Sequence, residues 1–63
     1  MEEFTHVNVD LTNEEAEALA QYLKRLGFGD LRALARNDSE AYTMQAAAER
    51  LRTALAEVGY APR

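Results

Sequence analysis

The sequence predicts a mainly α fold: a short N-terminal β-strand followed by a helical hairpin, in the order β-α-short α-α. Three observations lead there. "HVNVDL" alternates apolar and polar side chains with period two. Leucine and alanine recur at helical spacing from Asn13 to Leu26 and again from Ser39 to Val58. Residues that start or stop helices stand at the ends of both stretches.

In the strand, Thr5, Val7, Val9 and Leu11 share one face, and Phe4, His6, Asn8 and Asp10 share the other. That pattern fits a half-buried strand with a polar outer face. No other segment alternates in this way, so the strand has no evident partner within the chain. It is expected to pair with its own copy across a two-fold axis, with Val7, Val9 and Leu11 as the dimer strand. An intramolecular clamp over the helices is the alternative.

The first helix is marked at both ends. Thr12 with Glu15 three residues on forms a capping box, which satisfies two backbone donors reciprocally. Glu14, Glu15 and Glu17 lie near the positive end of the helix dipole, and Lys24 and Arg25 near the negative end. Ala16, Leu19, Ala20, Leu23 and Leu26 make the apolar stripe, and Gly27 suits a left-handed cap. "GFGD" then connects, with Phe28 expected to plug the core from the turn. Asp30 is expected to cap a short helix that carries Leu31, Leu34 and Ala35 inward and Arg32 and Arg36 outward. Asn37 with Glu40, or Asp38 alone, starts the longest helix. Its stripe is Met44, Ala47, Ala48, Leu51, Leu55 and Val58, and the alanines at 46–48 allow a close antiparallel neighbour. Gly59 reads as the glycine just past the helix end, with Tyr60 packing back on Leu55 and Pro62 preventing continuation.

Sixty-three residues make a single domain, 1–63, in the size range where a monomer's core is marginal. Twelve of the apolar residues are alanine, against eight leucines, three valines and no isoleucine or tryptophan. Few side chains therefore bury much area, and the absence of cysteine excludes disulfides and thiolate metal sites. Small scaffolds without staples oligomerise or pack very regular helices, so a homodimer is expected. No stretch approaches the roughly 20 apolar residues that span a bilayer. The first ten residues are acidic and lack the apolar core of a signal peptide, so a cytoplasmic location is expected.

Eleven acids against seven bases give a formal charge of −4. Six acids (Glu2, Glu3, Asp10, Glu14, Glu15 and Glu17) precede Lys24 with no base among them. From Lys24 to Arg36 the balance reverses, with four bases and only Asp30. Phosphates would repel the first segment, which counts against direct nucleic-acid contact. A ribbon-helix-helix DNA binder shares this order of elements, but base readout favours Arg, Lys, Asn or Gln on the ribbon. Here the outward set is Phe4, His6, Asn8 and Asp10, so that reading stays an alternative.

Catalysis needs a constellation that this chain lacks: it has one histidine, no cysteine and no glycine-rich phosphate loop. No enzyme activity, cofactor or metal is expected. Glu14 and Glu17 stand at i, i+3, but no histidine joins them at ligand spacing, and helix-start acids explain both. Protein binding remains. Interface anchors favour Tyr, Trp and Arg, and the residues off the apolar stripes include Tyr22, Tyr42, Arg32 and Arg36. Glu14 and Glu17 would steer a basic partner.

At "VDLTNEEAEALAQYLKRLGFGDLRALA" and "ALAEVGYAPR" the chain resembles a family of very small phage and prophage accessory proteins. The likeness runs from Val7 to Arg63 and rests on overall pattern, without a catalytic signature. The family's anti-quorum-sensing members bind a LuxR-type transcription activator of the host. The resemblance implies a host-takeover inhibitor in the bacterial cytoplasm, acting as a small helical dimer that occludes the activator's DNA-binding domain. It further implies a type IV pilus assembly ATPase as a possible second target, and it transfers no individual binding residue. An inhibitor of a bacterial defence complex is a further alternative.

Overall fold

The structure, a computed structural model, describes residues 3–62. Met1, Glu2 (counted above among the N-terminal acids) and Arg63, the last residue of the resemblance, lie outside the described residues. Three helices follow an N-terminal segment without regular secondary structure: α1 at Asn13–Arg25, α2 at Phe28–Leu34 and α3 at Asp38–Glu57.

The caps are where local chemistry decides. Thr12 Oγ1 accepts the Glu15 N–H at 3.0 Å, and the Thr12 N–H donates to Glu15 Oε1 at 2.9 Å. Such a cap contributes about 1 kcal/mol. At the start of α3, Asn37 Oδ1 accepts the Glu40 N–H at 2.8 Å. The Glu40 carboxylate turns to the Arg36 N–H instead, at 2.9 Å, so the acid does not reach back to Asn37. At the far end of α3, Gly59 has φ of 104°. There the Tyr60 N–H donates to Leu55 O at 2.9 Å and the Gly59 N–H to Ala56 O at 3.1 Å. This paired closure uses carbonyls that the helix end would otherwise leave without partners.

Gly27 departs from expectation. Its φ is −105°, so it is extended and not left-handed, and it serves as the N-cap of α2. Asp30 lies three residues inside that helix, and its Oδ2 accepts the Gly27 N–H at 2.9 Å. Helix α2 therefore begins at Phe28, two residues before Asp30. Phe28 is the first residue of α2 rather than a plug in the turn. It is half-buried, with its ring 4.9 Å from that of Tyr42 at 36°. Only one of the two leucines expected inward is covered: Leu31 is buried, whereas Leu34, the last residue of α2, is 74% exposed.

The predicted β-strand is not present: among the described residues there is no strand. Residues 3–12 carry no regular secondary structure, and the face expected to be covered is open, with Val7 79% and Val9 67% exposed. The reason is the need of each backbone N–H and C=O for a partner. Apart from this segment, the described chain is helical except for short turns and its last few residues, so no edge is available to pair with. The segment is exposed along its length, so its backbone groups are open to solvent. The two predicted faces are not separated either: both sets of side chains are exposed, and Asn8 and Asp10 line the same groove as Val7, Val9 and Leu11.

The core is small. Ala16, Ala20 and Leu23 of α1 meet Leu55 of α3, with Leu19, Ala48 and Tyr60 packed around them. Tyr60 Oη lies 3.1 Å from Asn13 Oδ1, to which it donates, so the start of α1 sits beside the end of α3 and the two helices run antiparallel. Leu31 and Ala41 are buried where α2 packs on α3. The backbones of α1 and α2 do not approach one another. The expected α3 stripe is only partly inward: Leu55 is buried and Met44 and Ala48 are half-buried, but Ala47, Leu51 and Val58 are exposed. No helix of the described residues is long and apolar enough to cross a membrane.

Candidate protein-binding surfaces

Two open apolar regions share no lining residue. The larger is a groove of about 470 Å³ between the N-terminal segment and the α1–α3 pair. Leu51 and Val58 stand seven residues apart on one ridge of α3, on the shoulder of the face that buries Leu55. No third helix covers that shoulder. Leu51 and Val58 therefore form one wall, with Val7, Val9 and Leu11 opposite. The segment is held at both ends. The Thr12 cap fixes one, and at the other the Arg50 guanidinium lies 5.3 Å from the centre of the Phe4 ring. At an exposed site such a cation–π contact contributes about 0.5–1 kcal/mol.

The second region is a shallower patch formed by Ala18, Tyr22 and Leu26 of α1 with Leu34 of α2, rimmed by Arg25 and Asp30. Tyr22 is 57% exposed. Glu14, Ala18 and Tyr22 follow one another at four-residue spacing, so an acid stands at the N-terminal end of the ridge that carries the tyrosine. Glu17 lies further round the helix and accepts a bond from Gln21 Nε2 at 3.4 Å. Both glutamates are exposed, as expected.

The other sequence-predicted residues are spread elsewhere. Arg32 Nε donates to Asp38 Oδ1, and Arg32 Nη1 to the Ala35 carbonyl at 3.3 Å. Arg36 Nε donates to Glu40 Oε2 at 3.1 Å. Both arginines thus stitch the turn at 35–37 to the first turn of α3. The Tyr42 ring, though exposed, packs on Phe28 and borders a third hollow along α3 with Ala46, Ala47 and Arg50. Tyr22 and Tyr42 therefore belong to separate surfaces. Val7, Val9 and Leu11 remain together as a groove wall, without a strand.

Sequence reasoning missed Leu34 as a partner of Tyr22. The sequence carries no signal for it: Leu31 and Leu34 stand three residues apart in one helix, and which of them is covered depends on where α3 lies. Among the described residues, no cluster of three or more His, Asp or Glu side chains could hold a metal ion. The chemistry these surfaces offer is apolar contact with a charged rim.

The chain belongs to a family of unknown function, DUF7706, whose model matches residues 1–63. That description carries no activity, target or biological setting. No curated protein and no solved structure matches the chain.

Proposed function

We propose that this member of a family of unknown function is a non-catalytic phage protein that inhibits a host protein by stoichiometric contact in the bacterial cytoplasm. The first target is a LuxR-type transcription activator, and a type IV pilus assembly ATPase is the second. The observation that carries the reading is the ridge from Glu14 to Tyr22 ending in the Tyr22–Leu26–Leu34 patch. A tyrosine anchor beside exposed Leu34 and half-buried Leu26 is the composition of an interface centre. The acids Asp30 at its rim and Glu14 two turns along the ridge complement a surface that grips DNA. The phage setting and the two targets rest on the resemblance in sequence pattern. The ribbon-helix-helix alternative has less support: the described residues hold no strand, and the N-terminal segment carries no lysine or arginine.

The test is binding of the chain to the immobilised DNA-binding domain of a LuxR-type activator. A saturable complex with one bound chain per domain is expected. Tyr22→Ala should speed dissociation by about tenfold or more, as loss of a buried anchor does. Glu14→Lys should slow association and flatten its salt dependence, with helix content unchanged. Absence of binding, or rates indifferent to both changes, would refute the reading. Tight and sequence-specific binding to duplex DNA in the same format would favour the ribbon-helix-helix reading instead.

A further inference from the structure

The chain exposes 5447 Å² at a mass of 7.1 kDa. The surface scaling of folded monomers gives about 4,100 Å² for that mass, so roughly 1,300 Å² stands in excess. The radius of gyration is 12.7 Å, against about 10.6 Å for a compact domain of this length. The molecule is also flat, with extents of 34 × 28 × 16 Å. Two features contribute: α1 and α2 each lie on α3 without closing on one another, and the N-terminal segment, held at its two ends, leaves an open groove beneath it. A stable interface takes about 800 Å² from each partner. The excess is larger than that, although it is spread over the whole molecule and the groove supplies only part of it.

The groove holds the most exposed large apolar side chains of the open regions. Val7, Val9, Leu51 and Val58 stand open across it, and Asp10 is the one charged residue in its lining. An occupant chosen by this acidic chain for its basic charge would need acids at the contact, and the groove offers only that one. A second copy needs none. Interfaces between identical chains are more apolar than the general surface and poor in charge at their centre, which is the composition seen here.

We infer that the groove is a self-association face, on which a second copy of the chain docks groove to groove about a two-fold axis. Side chains make this contact, with no backbone ladder between the copies. It goes beyond the host-target reading and is independent of it, because the Tyr22–Leu34 patch shares no lining residue with the groove and stays open in the pair. The dimer would present that patch twice.

Sedimentation velocity of the full chain between about 1 and 100 µM tests the assignment across the usual range of such constants. A species of twice the chain mass is expected. Val9→Lys and Val58→Lys each place an ammonium on a groove wall, the first outside any helix and the second at a helix C-terminus, where positive charge is favourable. Each should weaken the dimer by about tenfold to a hundredfold with helical circular dichroism retained. Leu34→Lys, equally exposed on the other patch, should leave the dimer intact. A wild-type monomer at the highest concentration, or dissociation caused only by Leu34→Lys, would overturn the proposal and leave the groove to a different protein. Should the lysine variants unfold, single thiols decide, since the chain has no cysteine. The Val9→Cys thiol should react with a maleimide more slowly as protein concentration rises, and the Leu34→Cys thiol should not. Equal behaviour at the two positions would refute the assignment.

Discussion

Gly59 and Gly29 show what a single residue contributes. Gly59 holds φ at 104° in open space, so a methyl group added there meets no neighbour within 4 Å and the cost of adding it is conformational. Gly59→Ala should lower the unfolding free energy by about 1 kcal/mol, read as a lower urea midpoint at unchanged slope. Gly29 lies inside α2, also in open space, where alanine loses less entropy on folding. Gly29→Ala should raise stability by about 0.5–1 kcal/mol. Opposite shifts are thus expected from one substitution type, and equal shifts would count against the helix end described. This level of structure was legible in the sequence. Thr12 with Glu15, Asn37 before Asp38, and Gly59 before Tyr60 each act over three to five residues, and those neighbours are fixed by the chain itself. Gly27 misled because its acid three residues on made it the start of α2 rather than a left-handed end to α1.

At the scale of elements, α2 depends on its neighbour. Seven residues are too few for a stable isolated helix, and α2 has one buried residue, Leu31. Leu31→Ala should cost about 2–3 kcal/mol and remove amide-exchange protection across residues 28–34 before it disappears from α1 and α3. Simultaneous loss everywhere would mean that α2 belongs to one cooperative unit with the core. The helices were readable from their periodicity, but which flank of each stripe is covered was not. Leu51 and Val58 continue the stripe of Leu55 and remain open because no third helix lies against their shoulder. Ala41, fully buried, went unnoticed because a lone alanine carries little pattern. The N-terminal segment failed for a different reason. Alternation tells how side chains are divided between two faces, whereas a strand also needs a neighbouring backbone, and that is a property of the whole chain.

For the whole molecule, stability and assembly are coupled. Six buried residues, three of them alanine, form the core of the described chain, and a core this small leaves little margin. If copies cover the groove, association adds to folding by mass action. The thermal midpoint should rise with protein concentration, and Val58→Lys should abolish that dependence and lower the midpoint at high concentration. A midpoint independent of concentration in the wild type would show that the small core suffices alone. The candidate surfaces were partly legible. Tyr22, Glu14 and the Val7–Leu11 wall were singled out from residue type, but only the fold showed that Leu34 joins Tyr22 and that Arg32 and Arg36 are engaged within the chain.

The N-terminal segment also has a consequence for how such proteins diverge. Its residues from Thr5 to Asp10 are exposed and cap no helix. Substitutions there meet little resistance from the fold, while they alter one wall of the groove directly. If copies pair through that groove as proposed, recognition of self can drift faster than the helices that carry it. Two relatives descended from one gene could come to share a cell without mixing subunits, separated by a handful of changes that leave both equally well folded.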